Sequence, residues 1–367
     1  MRTDLHLLYI CGSHYRNCCK LYSVVVTNTR TLAARLTGVQ RYASEIVNRL
    51  DSKIECIAPA AALDGVAGHA WEQLVLPTKL KGRLLWSPSN TGPLLVQRQV
   101  VTVHDVVPLD HPEWLNPKFA AWYRFLLPKL IPRVRRVITV SEFSKTRILE
   151  HVKVDPSRVV VIPNGVDSRF YPRTEKEHAD VRSHLELPSP YYILSLGSLE
   201  PRKNLERLLK AWAMIYEELP QDVWLVVAGA KGKAQIFRDV NFDVLPPRVH
   251  FSGHVPDQYL PALYSSALGF VYVSYYEGFG IPPLEAMASG TPVLTGNRTA
   301  LTEVVADAGL TVNPMDVEAI ADNLVRMVND ATLRETLRQR GLLRAKKFNW
   351  DDITACTWQV LQDAASE

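Results

Sequence analysis

Glu277 and Glu285 stand eight positions apart in SYYEGFGIPPLEAMASGTPVL (274–294), on either side of Gly278, Phe279 and Gly280. A strand end, a glycine turn and a helix opening near Pro282 would leave free backbone N–H groups converging on one point, which suits an anion. Proline fits that first helical turn because its missing N–H would be unpaired there anyway. Glu277 then lies in the turn beside the anion, and Glu285 sits about one turn inside the helix. Two carboxylates flanking a phosphate cradle suit a hydroxyl-rich ligand, one for a sugar and one for a ribose. Either glutamate alone reads as surface charge; together with the turn they read as a site.

Two further segments carry chemistry. In GSLEPRKNLERLL (197–209) a strand ends at Ser198 and a helix begins near Asn204, with Arg202 and Lys203 in the loop between. Two cations at a helix start can neutralise a departing diphosphate. In VVTVHDVVPLDHP (100–112) a buried strand ends in His104 and Asp105 at the carboxyl edge of a sheet, where sites of α/β proteins form. His104 could bond a sugar hydroxyl or the reacting centre, and Asp105 could orient it or bind an acceptor. His111, His250 and His254 have no comparable setting and read as structural.

Absences narrow the reaction. No Asp-x-Asp pair offers a metal-bound diphosphate its ligands, so metal-independent catalysis with no cofactor is expected, Arg202, Lys203 and helix dipoles replacing the cation. No complete Gly-x-Gly-x-x-Gly follows the first strand, and no Gly-x4-Gly-Lys-Ser/Thr loop occurs, which argues against a dinucleotide oxidoreductase and a P-loop enzyme. A two-carboxylate hydrolase needs a second acid across the sugar bond, and nothing pairs with Glu277 in that way.

The elements that must position these residues alternate along the chain. With 367 residues and roughly 150 per domain, two cores are expected. From Leu21 onward, short β-branched runs alternate with amphipathic stretches, the pattern of βαβ units on parallel sheets. LYSVVV (21–26), QVVTVHD (99–105), VRRVITVS (134–141) and RVVVIPNG (158–165) read as strands of one doubly wound half. TGVQRYASEIVNRL (37–50) reads as a helix with Val39, Tyr42, Ala43, Ile46, Val47 and Leu50 on one face, and Ser141 caps another. The polar stretch 171–190 reads as the domain boundary. Strands begin again at YYILSLGS (191–198), and a second doubly wound half follows, with helices over about 316–347 and 351–364. The expected organisation is an extension over 1–20, domains over 21–175 and 190–348, and a terminal helix over 349–367 packing back on the first domain.

These segments, in this order, resemble the retaining nucleotide-sugar glycosyltransferases of family 4, and the similarity runs from Leu21 to the C-terminus. The resemblance implies the GT-B fold, two Rossmann-like α/β domains facing a central cleft. It implies that Glu277 contacts the donor sugar and that Glu285 binds the nucleotide ribose. Gly278, Phe279 and Gly280 would hold the diphosphate with Arg202 and Lys203, and Ser198 follows the strand's glycine at the same edge. His104 matches a histidine of the family. Gly38, in RLTGVQRY (35–42), matches the glycine loop that approaches the donor phosphates or acceptor, with Arg41 and Asp105 as acceptor contacts. Thr299, Ala300 and Leu301 would cap the nucleotide pocket, with Glu303 on the helix beyond them. Asn164 and Gly165 match the end of the first domain and read as a structural turn.

The family's reaction is front-face attack in which the leaving phosphate helps take the acceptor proton, so no protein nucleophile is assigned. GSLEPRKN together with VTVHD most resembles bacterial mannosyltransferases of surface polysaccharide synthesis, which makes GDP-mannose the first choice of donor and a glycan or lipid-linked glycan the acceptor. UDP-glucose, UDP-galactose and GDP-rhamnose stay open. An epimerase or a catalytically silent nucleotide-sugar binder on the same scaffold is the reading from another class.

Charge divides the halves. Residues 1–180 hold 25 Lys+Arg against 16 Asp+Glu, and the remainder 17 against 22, so the overall +4 conceals a basic and an acidic half. Segment 118–147 carries eight basic residues and one acid, interleaved with Trp122, Tyr123, Phe125, Leu126 and Leu127. It reads equally as a contact for anionic lipid headgroups or as core aromatics with a solvated basic face. Nothing points to nucleic acid. Five cysteines, an odd number without zinc-type spacing, fit a reduced cytoplasmic setting.

Overall fold

Strand runs such as QVVTV and VWLVVA carry apolar side chains toward both faces, which fits a parallel sheet covered by helices on each side. In the computed structural model, which describes residues 25–33, 37–63, 65–197, 200–229 and 245–367, these runs form two six-stranded parallel sheets. The first contains β1 (Val25–Asn28), β2 (Ile54–Ile57), β3 (Leu85–Ser87), β4 (Gln99–Val103), β5 (Arg136–Thr139) and β6 (Val159–Val161), in the order β2-β1-β3-β4-β5-β6. The second contains β7 (Tyr191–Leu196), β8 (Val223–Ala228), β9 (Val249–Gly253), β10 (Gly269–Tyr272), β11 (Val293–Gly296) and β12 (Leu310–Val312), in the order β12-β11-β10-β7-β8-β9. Counted from its own first strand the second order is 3-2-1-4-5-6, and the order reverses between β7 and β10. Ligands of open α/β sheets bind at the carboxyl ends of strands at such a reversal. The expected extension 1–20, the start of the first strand, Cys11, Cys18, Cys19 and Ser198 lie outside the described residues.

The helix Gly38–Leu50 buries Tyr42, Ala43, Ile46 and Leu50, as its spacing predicts; Val47 is half-buried beside them. Ser141 caps the helix Glu142–His151 by accepting the Ser144 N–H at 3.0 Å. The stretch 171–190, read as the domain boundary, is not all loop. Residues Glu175–His184 form a helix opened by a capping box between Thr174 and Glu177, and Val181 from that helix enters the core of the second domain. Composition conceals this because a single apolar anchor suffices once the cap fixes the first turn.

The chain crosses between the domains twice, side by side. Val166 pairs with Asn349, and its N–H donates to the Phe348 carbonyl at 2.8 Å. Beyond this crossing the helix Trp350–Ser366 lies on the first domain, where Trp350, Ile353 and Leu361 share a core with Tyr42 and Ile46. The final turn of that helix is met by arginines of the first domain. Arg98 donates to the Ala365 carbonyl at 2.6 Å and Arg135 to that of Ala364 at 2.5 Å, while Arg136 pairs with Glu367. Cations at a helix C-terminus oppose its partial negative charge.

Candidate functional site

The loops that follow β7 and β10 flank the strand-order reversal, and each delivers charged side chains to the same point. After β7 a 3-10 turn, Pro201–Lys203, ends at Asn204, whose backbone is left-handed at φ 59°. The Asn204 amide nitrogen donates to the carbonyls of Val273 (3.0 Å) and Pro314 (2.7 Å), tying this turn to the loop after β10. Arg202 Nη1 therefore meets Glu277 Oε2 at 2.8 Å and Lys203 Nζ meets Oε1 at 2.7 Å. The Tyr272 hydroxyl also donates to Glu277 Oε1, at 3.0 Å. Burial pushes the Glu277 carboxyl up, but Lys203 and Arg202 outweigh it and hold the group below its ordinary value. It is an anion with both oxygens supported by cations.

Gly280 shows why the turn needs glycine. Its φ is 125°, and a Cβ there would come within 2.8 Å of Leu301 Cδ2. The helix Ile281–Ala288 starts immediately afterwards, with Pro282 and Pro283 in its first turn. Glu285 lies within it, 5% exposed, with Oε1 bonded by Arg41 Nη1 at 2.7 Å and Oε2 by the Tyr264 hydroxyl at 3.1 Å. Burial pushes the Glu285 carboxyl up to about 7, against the opposing pull of Arg41 and Tyr264.

From the first domain, β4 ends at Val103 and presents His104 and Asp105. His104 is buried, its Nε2 lies 2.9 Å from the Pro88 carbonyl, and Tyr42 packs edge-on against its ring. Burial lowers its pKa to about 4, so the ring is neutral at working pH. The carbonyl can only accept, so Nε2 carries the proton and Nδ1 is left as an acceptor for a hydroxyl. Burial raises the Asp105 carboxyl.

Gly38, Arg41, His104, Asp105, Arg202, Lys203, Glu277, Gly278, Phe279, Gly280 and Glu285 all line one interdomain cleft of about 420 Å³. Arg41, expected among the acceptor contacts, lines the cleft and also reaches across to Glu285 and to Asp257 Oδ2 at 2.9 Å, a longer reach than local spacing reveals. Thr299, Ala300 and Leu301 are not brought to the cleft. Ala300 and Leu301 are fully buried, and Leu301 belongs to the apolar core behind Gly280. Glu303 accepts the N–H groups of Glu142 (2.8 Å) and Phe143 (2.7 Å), so it caps a helix of the other domain rather than a nucleotide.

Three cleft residues, and Tyr264 buried behind Glu285, escape the sequence reading. Tyr272 and Tyr264 resemble any buried aromatic, and Asp257 any turn acid. Asn164, read as part of a structural turn, lines the cleft with a buried Oδ1 that has no protein partner. Its Asn-Gly context signals only a turn. Among the described residues no group of three or more His, Cys, Asp or Glu side chains is placed to hold a metal ion.

Chemically, the cleft sets a supported carboxylate beside two cations, and a neutral histidine faces them from the other domain. That arrangement can bind sugar hydroxyls next to a diphosphate and stabilise the charge that develops when the diphosphate leaves.

Residues 177–344 match the family model described as Glycosyl transferases group 1, and residues 84–170 match Glycosyltransferase Family 4. The chain is 34% identical over 279 residues to O-antigen chain mannosyltransferase B of Escherichia coli, covering 76% of this chain and 73% of that one. It is also 34% identical over 239 residues to O-antigen chain mannosyltransferase RfbU of Salmonella typhimurium, with 64% and 62% covered. The serotype-specific mannosyltransferase WbdA of Escherichia coli is 30% identical over 261 residues, which span 69% of this chain and only 32% of WbdA. Among solved structures, Anabaena HepE in complex with UDP-glucose aligns with a TM-score of 0.73 at 18% identity, covering 94% of this chain and 100% of HepE. WaaG, a glycosyltransferase involved in lipopolysaccharide biosynthesis, aligns at 0.71 and 18%, covering 92% and 99%.

Proposed function

Because the chain belongs to glycosyltransferase family 4, with the two-domain GT-B fold, its class is that of a glycosyltransferase, and we propose that it transfers mannose from GDP-mannose with retention of configuration. The acceptor in this reading is a glycan or lipid-linked glycan of a bacterial surface polysaccharide, and the enzyme works at the cytoplasmic face of the membrane. The observation that carries the transferase chemistry is Glu277, held at 2.7–2.8 Å by Lys203 and Arg202 and facing His104 across one cleft. The choice of mannose is supported by the relatives named above.

In this reaction Glu277 accepts hydroxyl hydrogens of the donor sugar, and Glu285 takes the ribose. The amides around Phe279 and Gly280 hold the diphosphate, together with Arg202 and Lys203. As the bond between the sugar's C1 and the diphosphate breaks, those cations take up the growing charge without a metal. The acceptor hydroxyl attacks C1 from the same face, and its proton passes to the departing diphosphate. Closure of the cleft excludes water that would otherwise hydrolyse the donor.

Melting shifts with GDP and UDP decide the base: stabilisation by GDP and not UDP supports this donor, and the reverse pattern points to a UDP-hexose. Donor turnover with and without acceptor separates transfer from epimerisation. The membrane contact is proposed for the helix Pro117–Leu130. That helix buries Tyr123, Leu126 and Leu127 and turns Phe119 and Phe125, each 46% exposed, outward beside Lys118, Arg124 and Lys129. No helix among the described residues is long and apolar enough to cross a membrane.

A further inference from the structure

Tyr276, Glu277 and Gly278 are consecutive, and the first domain holds the outer two. Tyr276 is 4% exposed and its hydroxyl donates to Asp110 Oδ2 at 2.8 Å. Asp110 is fixed in turn by Arg147, whose Nε donates to Oδ2 at 3.0 Å, and by His151. The Tyr276 ring meets His111 edge-on at 5.8 Å and Phe143 at 5.2 Å. On the other flank, the Gly278 carbonyl accepts the hydroxyls of Ser141 (2.7 Å) and Ser144 (3.1 Å). A Cβ at Gly278 would collide with the His104 carbonyl and lie 2.9 Å from Asp105 Cβ, so the two backbones touch. Only Glu277, in the middle, turns into the cleft toward its own domain's Arg202, Lys203 and Tyr272.

We propose that Tyr276 is a positioning residue whose hydroxyl, seated in the Asp110 socket, holds Glu277 in its sugar-facing geometry while the two domains are closed. The hydrogen bond runs to an ionised acceptor, the stronger kind. Burial pushes Asp110 up, but its bonds from Arg147, His151 and Tyr276 prevail and hold it at about 2. When the domains separate, both grips are lost together. The segment then keeps its ties to Arg202, whose carbonyl accepts the Tyr275 N–H at 2.8 Å and whose Nη1 donates to the Tyr276 carbonyl at 3.3 Å. Productive contact with the donor sugar thus waits on closure, which limits loss of donor to water. The proposal rests on the reading that Glu277 meets the donor sugar.

The test compares Tyr276→Phe, Asp110→Asn and the double variant with Glu277→Gln, measuring kcat, donor KM, GDP affinity and melting temperature. Tyr276→Phe keeps the ring and loses the hydroxyl. It is expected to lower kcat by about tenfold or more, with GDP affinity kept within about twofold. The double variant is expected to be no slower than the slower single one, because both remove the same bond. Wild-type kcat in Tyr276→Phe beside an inactive Glu277→Gln overturns the positioning role and leaves the glutamate's role intact. Wild-type kcat in Glu277→Gln overturns the reading beneath it. Additive losses in the double variant, or a GDP affinity that falls in step with kcat, overturn the pairing.

Discussion

At the residue scale, Glu277 is distinguished by the two cations that hold it. A carboxylate with burial like that of Glu277 would ordinarily hold its proton; Lys203 and Arg202 reverse this and make it an acceptor at working pH. Glu277→Ala and Lys203→Ala are each expected to cut kcat by about 10²–10³, the cost of removing one group aimed at transition-state charge. Steady-state rates with saturating donor check this, and wild-type rates in both would remove the site. Glu285 behaves differently. Its pKa of about 7, raised from 4.5, keeps the proton on in the folded chain between those values. The stability it contributes is therefore full below pH 4.5 and lost as pH rises through 7. Affinity for GDP-mannose should change in the opposite sense, rising over the same interval as the carboxylate becomes available to the ribose. Calorimetry across that range should show the rise in the native chain and its absence in Glu285→Gln. Much of this was legible: two glutamates around a glycine turn and a cation pair before a helix announce their chemistry by type and spacing. Tyr272, Tyr264 and Asp257 were not, because a tyrosine in an apolar strand or helix and an acid in a turn look the same whether or not they meet a site.

At the element scale, the turn Gly278–Gly280 and the helix that follows are shaped by contact as much as by propensity. Gly280→Ala would force a side chain into the left-handed region and against Leu301. A loss of about 1–3 kcal/mol is expected, read by urea denaturation with nucleotide absent. In the helix Pro117–Leu130 the aromatic residues divide between the core and the surface. Arg135 and Arg136, counted by sequence with its basic face, are instead engaged at the end of the C-terminal helix. The proposed lipid contact would therefore rest on Lys118, Arg124 and Lys129 with Phe119 and Phe125. Co-sedimentation with anionic vesicles should exceed that with neutral ones and fall in a Phe119→Ser/Phe125→Ser variant. Equal binding to both vesicle types would sink the contact. Strand runs and amphipathic helices were readable throughout, whereas the helix Glu175–His184 was concealed by a polar composition that its capping box makes sufficient.

At the scale of the whole molecule, the paired crossings at Val166 and Asn349 and the return of the C-terminal helix join two sheets into one cleft. Trp350 is the keystone of that return. It is 3% exposed, and its ring lies within 2.6 Å of where a Cβ on Gly165 would stand. Trp350→Ala should cost about 3–5 kcal/mol, seen as a lower urea midpoint. The split in charge acquires a location: the basic half bears His104 and the outward lysines and arginine, and in the proposed reaction the acidic half would hold its anionic donor through local amides and two cations. A chelator should leave activity intact if those cations replace a metal. The most direct test of the central claim follows transfer by NMR, using GDP-mannose and a bacterial surface-glycan acceptor with the native chain and with Glu277→Gln. The account predicts an α-linked product and stoichiometric GDP from the native chain, and neither at an appreciable rate from the variant. A β-linked product, or equal turnover by both, would contradict it.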